Sequence, residues 1–267
     1  MPTVDKHEPG TFCWVELSTT DIKAGRGFYE SLFGWKAEVQ PAGEMGEYIV
    51  FTLADGRAVA GGYEQQEQER SMGVPPHWNL YIYVDDVDKT VAKSTEAGGN
   101  AVVPGMDTPQ GRMAVVADPT GAMFCLWQSE SMPGWAVRDE PVSFSWAELI
   151  TNDPDRAEKF YGDVFDWTVK AEPMGDAPPY RVFYLGAGER GVGGLFPPPT
   201  PEIPNNWGVY LDVASADDTV AKARDLGAQI IVEPMPIPEV GTFSTMADPA
   251  GAVFAILEAQ PGGRVAE

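Results

Sequence analysis

Glu16 and Glu148 stand at matching places in a sequence that repeats itself. Residues 12–35 and 144–167 align with a fixed offset of 132, and ten of the 24 positions are identical, among them Trp14, Glu16, Asp21, Tyr29, Phe33 and Trp35. In an alternating stretch, Phe12, Trp14, Glu16 and Ser18 point to one face and Cys13, Val15 and Leu17 to the other. Each glutamate therefore shares a face with an indole, Trp14 or Trp146. A carboxylate turned inward beside apolar rings has its charged form destabilised and its pKa raised, which prepares it as a general acid or base. A structural glutamate bonded to backbone would have the same spacing, and both readings stay open.

The same parity argument gathers aromatic side chains around these acids. Tyr81, Tyr83 and Trp127 join Trp14 and Glu16 in the first half; Tyr210 and Asp212 join Trp146 and Glu148 in the second. Aromatic walls around a few acids suit planar organic molecules, held by stacking and cation–π contact, with stacking contributing roughly 0.5–1.5 kcal/mol per pair beyond burial. The tryptophans are equally large enough to be plain core. If one cup alone functions, the first is expected to be the one, because it keeps more polar inward positions.

Composition narrows the partners. The 267 residues carry 40 acidic and 18 basic side chains, a formal net charge of −22. That field repels nucleic acid and anionic membranes. No stretch approaches the ~20 apolar residues that span a bilayer, and the polar N-terminus predicts no signal peptide. Two cysteines in strand-like segments, Cys13 and Cys125, fit a reduced, cytoplasmic protein. The motifs of serine hydrolases, P-loop enzymes, dinucleotide-binding proteins and CxxC redox proteins are missing.

The elements that must position these groups recur in order. A strand over 12–18 leads to a helix capped by Asp21 and ending near Gly34. Strands follow at 48–53 and 57–63, then a polar loop at 64–73 and a strand at 78–84. A helix capped by Asp88 and closed by Gly98 comes next, then strands at 102–103, 112–117 and 123–127 after the Asp118-Pro-Thr-Gly121 turn. In the second half Tyr180 answers Tyr48, Gly193-Gly194 answer Gly61-Gly62, Trp207 answers Trp78, and Asp248-Pro-Ala-Gly251 answers the first turn, which is read as structural. The expected units are 1–128 and 142–267, joined by a polar linker over 129–141 that contains one stray tryptophan, Trp135. The proline-rich stretch 197–204 reads as a semi-rigid cover.

A strand followed by a DxxxAxxFYxxxFGW-like helix, an aromatic strand ending in Val84-Asp85-Asp86-Val87, and a terminal DPxG turn, all present twice, resemble the vicinal oxygen chelate superfamily of glyoxalases, bleomycin-resistance proteins and extradiol dioxygenases. The tandem form is most similar to the actinobacterial 27-kDa-antigen and hydroxylase-labelled group. The resemblance implies an α+β fold of two tandem modules. Each would be a pair of βαβββ motifs forming a cup-shaped, eight-stranded mixed sheet with helices outside, packed with internal pseudo-twofold symmetry as a monomer or as a homodimer.

In metal-dependent members of that superfamily, His and Glu side chains inside the cup bind a divalent ion. The corresponding positions here are Trp14, Asn79 and Cys125 in the first half and Trp146, Gly208 and Ala255 in the second, with Gly61-Gly62 and Gly193-Gly194 near the remaining one. Indole, glycine and alanine cannot ligate such ions, so no metal and no other cofactor is expected; an improvised site using His77, Asn79, Glu16 and Cys125 is the minority alternative. The resemblance then implies metal-independent binding of a small aromatic or carbonyl-bearing metabolite or drug. The alternatives are a glyoxalase-like lyase or isomerase, or a hydroxylase, with Glu16 or Glu148 as base, and a non-catalytic partner-binding protein whose cups are filled by their own tryptophans.

Overall fold

The computed structural model describes residues 4, 6–42, 46–174, 177–188 and 190–260. The outermost ends of the two expected units, and residues 1–3 and 5 of the expected leaderless N-terminus, lie outside them. Among the described residues no helix is long and apolar enough to cross a membrane.

Among the described residues, sixteen strands form two eight-stranded mixed sheets, and each sheet draws its strands from one half of the chain. The first has the order β2-β3-β4-β1-β5-β8-β7-β6. Its strands are β1 (Phe12–Thr19), β2 (Lys36–Pro41), β3 (Glu47–Thr52), β4 (Ala58–Glu64), β5 (His77–Tyr83), β6 (Asn100–Thr108), β7 (Gly111–Ala117) and β8 (Met123–Ser129). The second repeats it as β10-β11-β12-β9-β13-β16-β15-β14. Here β9 (Phe144–Ile150), β10 (Trp167–Met174), β11 (Ala177–Leu185) and β12 (Gly191–Phe196) form the first motif, and β13 (Asn206–Asp212), β14 (Gln229–Ile237), β15 (Gly241–Ala247) and β16 (Val253–Ala259) the second. The expected fold class and tandem cups are observed.

Local chemistry sets the helices. Asp21 caps α1 (Ile22–Phe33), accepting from the Lys23 and Ala24 backbone amides, and the helix ends where Gly34 turns left-handed at φ 72°. Its buried stripe includes Phe28, Tyr29, Leu32 and Phe33. The counterpart α4 (Pro154–Phe165) is capped by Asp153 and ends on a left-handed Asp166. The caps of the second pair correct the sequence reading. Asp86, not Asp88, accepts the Lys89 amide at the start of α3 (Val87–Glu96), because a cap must precede the first helical turn. Asp88 lies inside that turn and pairs with Arg112 at 2.9 Å. Gly98 follows the C-cap, Ala97, and takes the left-handed φ of 94°. Ser215 caps α5 (Ala216–Asp225).

Three elements were not expected. β2 and β10 are largely exposed edge strands, although Ala37 and Val39 in the first and Trp167, Val169 and Ala171 in the second alternate with polar residues. Within the polar run 64–73, α2 (Glu67–Ser71) forms through a capping box between Gln66 and Glu69.

The helix-covered faces of the two modules pack on each other through reciprocal aromatic contacts. From α1, Phe28, Tyr29 and Phe33 meet Phe254 of β16; from α4, Phe160, Tyr161 and Phe165 meet Phe124 of β8. Phe12 belongs to this interface. A register shift between Phe12 and Trp14 takes it off the face of Glu16 and onto Trp167 and Trp207, against the simple alternation. Trp135 is not a stray residue either: it is fully buried and stacks on Phe144 with centroids 4.3 Å apart. The segment joining the modules is thus tied into the core.

Candidate ligand site

Each cup holds the same string of hydrogen-bonded side chains. In the first, Trp14 Nε1 donates to Tyr48 Oη at 3.0 Å, Tyr48 bonds the Glu16 carboxyl, and Tyr81 Oη donates to Glu16 Oε1 at 2.7 Å. In the second, Trp146 Nε1 donates to Tyr180 Oη at 2.9 Å, Tyr180 bonds Glu148, and Tyr210 Oη donates to Glu148 Oε1 at 2.9 Å. The sheet register explains the meeting. Glu16 lies between Gly61 of β4 and Asn79 of β5, and Glu148 between Gly194 of β12 and Gly208 of β13. Trp14 pairs with Tyr81, and Trp146 with Tyr210.

Glycine is required opposite the tyrosines. A Cβ on Gly61 would fall on the Tyr48 hydroxyl and lie 2.8 Å from Trp14 Nε1; one on Gly194 would fall on the Tyr180 hydroxyl and lie 2.9 Å from Trp146 Nε1. Gly61 therefore corresponds to Gly194, and Ala60 to Gly193, one residue away from the ungapped pairing of Gly61-Gly62 with Gly193-Gly194. Tyr48 and Tyr180 are the site residues that sequence reasoning missed. Their identity across the repeat was the available signal.

Burial pushes the pKa of both glutamates up, and the phenol hydrogen bonds pull it partly back; for Glu16 the Asn79 amide adds a further pull. The phenols are driven well above the ordinary tyrosine range, Tyr48 and Tyr81 by burial and then by the Glu16 charge, Tyr180 and Tyr210 by burial and then by Glu148. They act as hydrogen-bond donors.

The other expected residues divide. Trp127 approaches Tyr81 edge-on, with centroids 6.4 Å apart, and donates to the Met132 carbonyl. Tyr83 is half-buried and faces His7 of the N-terminal segment, at 6.4 Å between rings, not Glu16. Asp212 is half-buried beside Leu257 at the second cup's rim. A surface hollow of about 510 Å³ lies elsewhere, between α1 and the β2–β3 edge, where Arg26 and Glu30 pair with each other; it has none of the cup's chemistry.

The donor set does not fit a divalent ion of the kind metal-dependent glyoxalase-like cups hold. The first cup presents Trp14, Asn79 and Cys125 at the corresponding places, and the second Trp146, Gly208 and Ala255. His77 places Nδ1 2.8 Å from the Pro75 carbonyl and Nε2 3.1 Å from Asn79 Oδ1, so both ring nitrogens face acceptors. Among the described residues no three His, Cys, Asp or Glu side chains cluster as a metal set.

Two eight-stranded βαβββ cups in tandem, each with an acid at its floor, define the class. The profile of the Glyoxalase/Bleomycin resistance protein/Dioxygenase superfamily matches residues 11–126 and again 143–256, and the chain belongs to that superfamily. It is 42% identical over 263 residues to "Putative glyoxylase CFP32" of Mycobacterium tuberculosis, covering 98% of this chain and 99% of that protein. It is 33% identical over 275 residues to "Anthracycline biosynthesis protein DnrV" of Streptomyces peucetius, covering 95% of each. Among solved structures it is similar to the 2,3-dioxygenase LapB from Pseudomonas sp. KL28, with TM-score 0.65, 13% identity and coverage of 98% and 95%. It is also similar to the Mn(II)-bound glyoxalase from Novosphingobium aromaticivorans, with TM-score 0.61, 21% identity and coverage of 94% and 82%. At such identities these two likenesses speak to the fold alone.

Proposed function

We propose that this protein binds a small aromatic or carbonyl-bearing molecule in a cup lined by tryptophan, tyrosine and glutamate, without a metal ion. The observation that carries the reading is the Trp–Tyr–Glu–Tyr string, which occupies in both modules the region where a metal-binding cup needs ligands. Aromatic faces supply stacking area and the glutamate supplies one directional hydrogen bond, the usual division of labour in a small-molecule site. The relative named for anthracycline biosynthesis supports an aromatic ligand. Two fully buried free thiols suit a reducing, cytoplasmic setting, and the reciprocal packing of the modules suits a monomer with internal pseudo-twofold symmetry.

A second reading makes the cup catalytic, as a glyoxalase-like lyase or isomerase with a glutamate as general acid or base. Glu148 favours it, being partly exposed and shifted upward by burial.

The test is tryptophan fluorescence titrated with the neutral hydroxycoumarin umbelliferone, with and without EDTA. Saturable quenching that EDTA leaves unchanged is expected. Quenching that vanishes with EDTA and returns with Mn²⁺ would overturn the metal-free reading.

A further inference from the structure

We propose that the second cup alone takes the ligand, a flat, uncharged aromatic molecule whose hydroxyl or carbonyl oxygen meets Glu148, and that the first cup is a copy filled by its own side chains. This rests on the binding function proposed above and reverses the expectation that the first cup is the working one.

The two cups match position by position through the strand register, so what each puts in the same space can be compared. Where the first has Asn79, Cys125, Trp127 and Tyr83, the second has Gly208, Ala255, Leu257 and Asp212. The first three exchanges remove volume next to the acid or next to its tyrosine partner, and the fourth replaces a ring turned toward His7 by a shorter side chain. A Cβ on Gly208 would meet only the Glu148 backbone carbonyl, at 3.6 Å, so the second cup has free space at the position from which the Asn79 side chain reaches Glu16 in the first. In reverse, Phe243 for Met113 adds a ring beside Tyr210, and Tyr184 for Thr52 adds a ring whose face carries the Lys170 ammonium, 4.2 Å from the centroid.

Exposure follows volume. Glu16 and Tyr81 are 7% and 5% exposed, whereas their counterparts Glu148 and Tyr210 are partly open. Trp14, Tyr81 and Trp127 are continuous with the main core. Trp146, Val182 and Tyr184, flanked by Tyr180 and Tyr210, form a small apolar cluster separate from the main core.

The first cup also has a cover. Tyr63, on the same face as Glu16, donates to Glu69 of α2 at 2.8 Å, and Gln65 and Arg70 tie the helix down through Gln65 Nε2 to the Pro75 carbonyl and Arg70 Nη1 to the Gln65 carbonyl. The second module has the proline-rich segment in place of that helix, and Phe196 stands where Tyr63 does, so no phenol ties a cover there.

The chemistry of the walls sets the ligand class. Trp146, Tyr180, Tyr210 and Phe243 offer ring faces, which select a flat partner. Glu148 and Asp212, within a chain of net charge −22, oppose an anion. A second cation is opposed by Lys170, whose ammonium already stands over the Tyr184 ring, 4.2 Å from its centroid. An uncharged ring with one oxygen in reach of the carboxyl is what remains.

Isothermal titration of the full-length protein with umbelliferone, at mildly acidic pH where its phenol is uncharged, tests this. One site per chain is expected. Filling the second cup with the first cup's side chains, Gly208→Asn with Leu257→Trp, should abolish it, and Glu148→Gln should weaken binding by about tenfold more than Glu16→Gln does. The paired glutamine variants decide the matter if the double substitution fails to fold. Two sites per chain, or one site that responds to Glu16→Gln and not to Glu148→Gln, would overturn the assignment to the second cup while leaving the binding function standing. No saturable heat at all would remove the binding function and this inference together.

Discussion

Tyr29 of the first module donates to Asp248 of the second, Oη to Oδ2 at 3.1 Å, and Tyr161 returns the bond to Asp118 at 3.0 Å. Each aspartate belongs to a DPxG turn, where its other oxygen accepts the turn's backbone amides. Each phenol also accepts an indole N–H, from Trp78 at 3.0 Å and from Trp207 at 2.7 Å. The turns that look merely structural in sequence are therefore the anchors by which one module recognises the other. Tyr29→Phe leaves a buried carboxylate oxygen and a buried indole N–H without this partner, and should cost about 2 kcal/mol in urea unfolding. Tyr161→Phe should cost about the same; a loss below roughly 0.5 kcal/mol in both would show the phenols to be packing groups alone.

The cup glycines differ in what they tolerate. Gly61→Ala and Gly194→Ala should each destabilise by about 1–3 kcal/mol, because the new methyl falls on a tyrosine hydroxyl that is itself hydrogen-bonded. Gly208→Ala has ordinary space around it and should be near neutral in the same denaturant titration. Equal costs at all three positions would contradict the geometry.

Trp135 tests whether the joining segment is structural. Its ring is fully buried against Phe144, so Trp135→Ala should cost about 3–5 kcal/mol, as for other large core aromatics. A solvent-exposed linker residue would cost almost nothing when replaced.

The raised pKa of Glu16 has a definite sign in stability. A group whose folded pKa lies above its unfolded value, about 4.3 for glutamate, contributes fully below that unfolded value, and the contribution is lost as pH rises through the folded one. Glu16→Gln keeps the uncharged shape at every pH. Its melting temperature relative to the parent should therefore climb as pH is raised from about 4 to 8. A difference that falls over that range would mean the charged form is the stabilised one.

Much of this was legible in the sequence because the repeat made it so. Identical Trp14, Glu16 and Tyr29 at a constant offset fixed the tandem cups, and strand parity placed Glu16 with Trp14. Parity failed at Phe12, where a bulge carries the ring to the other face. It could not show that Tyr48 reaches across β4 to Glu16, because that contact depends on a missing Cβ at Gly61, a tertiary fact. The edge strands β2 and β10 were legible in a short polar–apolar alternation, Lys36-Ala37-Glu38-Val39 and Trp167-Thr168-Val169-Lys170-Ala171, that lies directly after a helix and is mostly exposed. The helix over Glu67–Ser71 was hidden in a run whose polarity reads as loop, though Gln66 and Glu69 stand at capping-box spacing. Trp135 reads as stray because the polar ends of 129–141 dominate its composition, although Val137, two residues on, is apolar and fully buried with it.

The central claim is that this cup works through aromatic rings and a carboxyl, with no metal ion. Native mass spectrometry with elemental analysis, on protein purified without added metal or chelator, tests it most directly. The account predicts no stoichiometric divalent ion, and any co-purifying mass to be an organic molecule at no more than one per chain that survives dialysis against EDTA. One tightly held divalent ion per chain, lost to EDTA together with ligand binding, would contradict it.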